Sequence, residues 1–133
     1  MKTARFITIA AALVLVVLLL TNRSRRDVPN YNATAEATVR GTVQDVQEFW
    51  CPISGDEGTH LMLQTDSGVI QVHVAPRRFL GGNNIRFSKG DTVEVVGSVV
   101  TYAGGPALIA RTISRGDQTF AFRSATGKPA WRE

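Results

Sequence analysis

Beyond residue 36 apolar and polar residues alternate singly over several stretches, and a period of two predicts strands with one face in a core. The clearest stretch is Thr59 to Val74, THLMLQTDSGVIQVHV, which predicts a β-hairpin turning at Asp66-Ser67-Gly68. With Asp66-Ser67 as a two-residue loop, Thr65 faces Gly68, Leu63 faces Ile70, Leu61 faces Val72 and His60 faces His73. Leu61, Leu63, Ile70 and Val72 then share the core face. The opposite face, expected to be solvated, carries His60, Met62, Gln64, Val69, Gln71 and His73. A Ser67-Gly68 loop would slip this pairing by one residue and separate the histidines.

The other elements follow from the same pattern. Ala37 to Trp50, with Val39, Val43 and Val46, reads as a long strand that bends or bulges at Gly41. Cys51 to Gly58 is a loop into the hairpin. Pro76-Arg77-Arg78-Phe79-Leu80, stopped by Gly81-Gly82, predicts a one-turn helix. Thr92 to Val96 is a strand with a bulge at Gly97, and turns at Ala103–Pro106 and Arg115–Asp117 bound a strand over Ala107–Ile113. A short further strand, Gln118 to Arg123, puts Phe120 and Phe122 on one face, and these join Phe79, Phe87 and Trp131 as core or end-plugging rings. The class is therefore all-β. Three strands, a helix and two strands is the order of a five-stranded OB-fold barrel, here with an extra C-terminal strand. Another small barrel or sandwich would show the same spacing.

The amino end differs. Phe6 to Leu20 is unbroken apolar sequence after Lys2 and Arg5. At 1.5 Å per residue it spans roughly 22 Å, short of a ~30 Å hydrocarbon core but within reach of flanking arginines that snorkel. Ala33-Thr34-Ala35, the only small-x-small triplet near it, lies too far downstream for an ordinary cleavage site. The reading is an N-terminal membrane anchor or signal segment over residues 1–22, a polar tether over 23–36 and an OB-fold domain over 37–133. The uncleaved, single-pass form is preferred, with the domain on the periplasmic or extracytoplasmic side. That side follows from the short basic head before the apolar run, whereas two Lys/Arg before the run and three after it would by themselves favour a cytoplasmic domain. Of a formal +4, residues 1–36 carry +3, which suits a membrane surface. A nearly neutral domain argues against a polyanion partner. Cys51 is the single cysteine, so no intrachain disulfide forms.

Residues 39–131 resemble a group of small exported or membrane-tethered bacterial OB-fold proteins. The resemblance rests on Gly41-Thr42-Val43, Cys51-Pro52-Ile53-Ser54-Gly55, Gly58-Thr59-His60-Leu61 and Val72-His73-Val74-Ala75-Pro76. It continues in Gly90-Asp91-Thr92-Val93-Glu94-Val95 with Gly97, Ala110-Arg111, Gly116-Asp117-Gln118-Thr119-Phe120, Gly127-Lys128-Pro129 and Trp131. It implies a fold and a compartment, and no reaction.

Three site chemistries can be written on this framework. Both histidines of the chain fall at one cross-strand position, where Cβ atoms lie roughly 4.5–5.5 Å apart. His60 and His73, with Met62 on the same face and Cys51 from the loop, form a donor set for copper, or for zinc if the sulfur is that of Cys51. Oligonucleotide binding on the hairpin face would use Arg77, Arg78, Gln71 and Gln64, but this face has no aromatic platform. A Cys51 nucleophile with His60 as base lacks an orienting third group, so no enzyme is expected. The expectation is a tethered binding module with a cross-strand histidine metal site. Of Phe49-Trp50, at least one ring is expected to close the core, the alternative being a recognition patch.

Overall fold

The computed structural model describes residues 28–132. The anchor expected over residues 1–22 and the first residues of the tether lie outside the described residues. Among the described residues no helix is long and apolar enough to cross a membrane.

After a single 3-10 turn at Ala33–Ala35, six strands and one short α-helix follow in chain order: β1 (Glu36–Cys51), β2 (Asp56–Thr65), β3 (Gly68–Pro76), α1 (Arg77–Gly82), β4 (Thr92–Tyr102), β5 (Gly105–Arg115) and β6 (Gln118–Ala121). β1 is long enough to serve two neighbours. Its first half pairs antiparallel with β4, from Glu36↔Ser98 to Thr42↔Thr92. Its second half pairs antiparallel with β2, from Thr42↔Gln64 to Cys51↔Asp56. β5 also divides its pairing: its first half meets β3 in parallel, Gln71↔Ala107 to His73↔Ile109, and its last residues meet β6. The β3–β5 contact joins the two ends of the order β3-β2-β1-β4-β5, so five strands form a closed ring with β6 appended outside it. Strand order, closure and the helix between β3 and β4 are those of an OB-fold.

The interior is filled by one face of each strand. Val43, Leu61, Leu63, Val72, Val95, Leu108 and Ile113 are all at most 1% exposed. Full burial of each such side chain contributes roughly 1.5–3 kcal/mol. Phe122 is buried among them, and the rings of Phe79, Phe87, Phe120 and Trp131 close that end edge to face, as the pattern predicted.

Local deviations from regular pairing have identifiable causes. The register of β1 slips at Gln44, between Val43 and Asp45, and not at Gly41 as expected. Gly41 serves close approach instead: a Cβ there would run into the Gln64 carbonyl and come within 2.9 Å of the Leu63 side chain. The shift expected at Gly97 is present, where β5 carries one extra residue, Arg111. Pro76 precedes α1, which ends in two glycines, as its sequence implied.

Candidate functional site

The hairpin forms in the predicted register. Asp66 and Ser67 make the loop, and His60↔His73, Leu61↔Val72, Leu63↔Ile70 and Thr65↔Gly68 all pair. The Thr65 hydroxyl fixes this turn by donating to the Gly68 carbonyl at 2.7 Å and accepting from the Ser67 amide at 3.2 Å. Beyond the histidines β3 carries one extra residue, Val74, so that Thr59 pairs with Ala75.

The exposure of this face differs from expectation. His60 is 0% and His73 3% exposed; neither is solvated. Phe49 on β1 stacks on the His60 ring at 3.7 Å and 4°. Tyr102, at the end of β4, meets the His73 ring edge-on at 4.6 Å. Ile53 from the β1–β2 loop and Arg123 and Trp131 from the segment after β6 complete the wall. The alternation placed the histidines opposite the core leucines, and distant parts of the chain then roofed them.

Under this roof Cys51 joins the pair. It lies at the last position of β1, opposite Asp56, and is 2% exposed. Its Sγ is 3.4 Å from His73 Nδ1. The two imidazoles stand nearly perpendicular, with centroids 4.7 Å apart. One donor atom from each of Cys51, His60 and His73 lies within 4.8 Å of the other two. Gly58 makes this approach sterically possible, since a Cβ there would stand 3.0 Å from Cys51 Cβ and 3.2 Å from His60 Cε1. The residues enclose a void of about 10 Å³, room for one water or one ion.

Polar satisfaction is incomplete here. Both ring nitrogens of His60 and Nε2 of His73 are buried without a hydrogen-bond partner. Burial pushes the His60 pKa down to about 4, and backbone carbonyls near the ring oppose that shift without reaching hydrogen-bond geometry. His73 falls to about 3, through burial first and the neighbouring His60 second. Both rings are therefore neutral at pH 7 and keep a lone pair for an ion. Metal-bound nitrogen and sulfur lie about 2.0–2.3 Å from zinc, so these donors would converge on one ion with shifts of about an ångström.

The remaining sequence candidates fall elsewhere. Met62 is half-buried one step nearer the turn on the same face, paired with Gln71 and Asp45. Gln64 and Gln71 sit toward the turn, whereas Arg77 and Arg78 follow the other end of β3, so the four do not form one patch. Arg77 meets Glu48 and Glu57 at 3.2 and 3.3 Å, and Arg78 meets Asp56 at 2.8 Å. These pairs sit on a broad groove of about 910 Å³ beside α1, away from the histidines, and leave little net positive charge for a phosphate backbone. Phe49 is a wall of the site, while Trp50 is 66% exposed. No pattern in the chain marks Arg123, Tyr102 or Trp131 as part of the site, because only the closed ring brings them there.

The family model of the MamS/MamX magnetosome protein family matches residues 35–120. No curated protein matches the chain. Among solved structures the chain is similar to asparaginyl-tRNA synthetase from Pyrococcus horikoshii, complexed with asparaginyl-adenylate, at 15% identity and TM-score 0.48 over 69% of this chain and 20% of the synthetase. It thus spans about a fifth of that protein's length. It is also similar to the second OB-fold domain of replication protein A from Methanococcus maripaludis, at 22% identity and TM-score 0.45, covering 64% of this chain and 87% of that domain.

Proposed function

This chain belongs to the MamS/MamX magnetosome protein family, and we propose that its OB-fold domain is a transition-metal-binding module whose ligands are Cys51, His60 and His73. The observation that carries this reading is the convergence of one thiol and two neutral imidazoles, all buried, with three ring nitrogens lacking partners. A native core seldom buries polar atoms unpaired, since each costs about 1–3 kcal/mol. An ion would satisfy at least one of them, on His60, and replace the proton of the thiol. Imidazole with thiolate is a donor set for copper or zinc.

The role is binding without catalysis. A void for one ion, walled by Ile53, Arg123 and Trp131 beside histidines that Phe49 and Tyr102 cover, has no room for a substrate beside the metal. Met62 belongs at most to the outer surroundings of the ion. The apolar run at residues 6–20 tethers the domain to a membrane, with the domain on the extracytoplasmic side. Support for that part is the sequence pattern alone.

The test is a titration of the full chain in detergent with Cu(I) and Zn(II), in wild type and in Cys51→Ser and His73→Ala. One equivalent should bind to wild type with at least about tenfold tighter affinity than to either variant, and thiolate-to-metal absorption should be lost in Cys51→Ser. Equal affinity in all three proteins would remove the proposed site.

A further inference from the structure

The charge around the void discriminates between ions. Its lining, drawn from Cys51, Ile53, Ser54, Gly58, Thr59, the two histidines, residues 74–75, Arg123 and Trp131, contains no carboxylate. The one charged side chain in that lining is cationic. Arg123 is half-buried, lies over the Trp131 ring at 5.0 Å and the Tyr31 ring at 5.8 Å, and donates from Nη1 to the Gly127 carbonyl at 3.0 Å. Its Nε is buried without a partner. A second guanidinium, Arg132, reaches the same rim and donates to the Ser54 carbonyl at 3.2 Å.

A thiolate and two neutral imidazoles bring one negative charge to a bound ion. A monovalent ion makes the centre neutral. A divalent ion leaves a net positive charge, out of water, against a wall that is already positive and has no carboxylate to offset it. Three donors also suffice for a soft monovalent ion, whereas structural zinc takes four protein ligands. Among the described residues the cluster of histidine, cysteine and carboxylate donors stops at three.

Resting on the metal-binding reading above, we infer that the resident ion is monovalent and thiophilic, Cu(I) in chemical class, and that Arg123 sets the selectivity against divalent ions. Binding exchanges one proton for one ion: the Cys51 S–H bond breaks, the sulfur–metal bond forms, and the proton leaves to solvent. No electron is transferred.

The experiment uses the full chain in detergent with Ag(I) as an air-stable probe, Cu(I) held reduced by ascorbate, and Zn(II), each in competition with a chelator of known affinity. Ag(I) and Cu(I) should bind at one equivalent and release one proton each, and both should bind tighter than Zn(II). Thiolate alone favours soft ions, so the deciding variants change charge. Arg123→Gln should narrow the Ag(I)-to-Zn(II) affinity ratio by about tenfold or more, the size expected from one charge several ångströms away in a partly screened medium. Arg123→Lys should keep the wild-type ratio. Zn(II) binding as tightly as Ag(I) in wild type, or an unchanged ratio in Arg123→Gln, overturns this inference while leaving a metal site in place. Failure of every ion to bind removes the underlying function instead.

Discussion

Replacing His60 by leucine should stabilise the protein without metal and weaken it with metal. His60 is fully buried, and in its neutral form one nitrogen is a donor and the other an acceptor, both unpaired. At about 1–3 kcal/mol for each unpaired group, the ring costs the metal-free fold ~2–6 kcal/mol, and the backbone carbonyls of Gly58 and Gln47 near the ring bring this into the lower half of that range. Leucine is close in volume and has no polar atom. What it loses is the stack on Phe49 at 3.7 Å, worth about 0.5–1.5 kcal/mol, and some fit of shape, worth about 1 kcal/mol. The balance favours His60→Leu by ~1 kcal/mol in chelator, which raises the Tm of a hundred-residue domain by about 4–8 °C. At a hundredfold excess of Ag(I) over its Kd, wild type gains about 2.7 kcal/mol and the variant gains almost none. The order of the two melting curves therefore reverses between chelator and Ag(I). A variant less stable than wild type in chelator would show that the imidazole is a well-satisfied core group. A variant retaining the full Ag(I)-induced shift would show that His60 is no ligand.

Further perturbations test other parts of the argument. In chelator, stability should fall as pH drops below 6.5, the ordinary histidine value, and continue falling toward about 4 and then 3, where the folded rings take up protons. The sign follows because the unfolded chain binds protons in that window and the folded one does not; a flat urea-denaturation stability between pH 7 and 5 would contradict it. Gly97→Ala should lower stability by about 1–3 kcal/mol, since a Cβ there runs into the Ile109 carbonyl. Gly82→Ala, with open space around it, should be neutral or slightly stabilising in the same thermal melts. Because Arg77 and Arg78 are paired with acidic side chains, fluorescence anisotropy at 150 mM salt should show no binding of a single-stranded oligonucleotide at micromolar protein; tight, salt-dependent binding would restore that role.

Register was legible and exposure was not. Two alternating runs around Asp66-Ser67 were enough to place His60 opposite His73, because a one-residue slip would have turned Leu61 and Val72 out of the core. Alternation says which side of a strand a residue takes, and nothing about what later covers that side. The cover comes from Phe49, Tyr102, Arg123 and Trp131, spread over more than eighty residues, and only ring closure gathers them. Cys51 was within reach of the reading because it stands at the foot of the same hairpin. Gly41 misled because a glycine that bends a strand and one that lets a carbonyl pass close by look alike in sequence. Arg77 and Arg78 were candidates for a nucleic-acid face, and their pairing with Glu48, Asp56 and Glu57 depends on how α1 lies against β1 and β2, which alternation does not show.

The ring has one narrow seam. Where β1 and β2 share nine paired positions, β3 and β5 share three, and the last of them is His73↔Ile109. Local separation there breaks few hydrogen bonds, so it is the least expensive way to uncover a ligand that the resting fold keeps dry. The same joint would thus admit the ion and, once His73 is held, resist reopening. Amide exchange at residues 71–73 and 107–109 should slow on loading far more than exchange in the β1–β2 ladder, making the ion a clasp on the weakest edge of the domain.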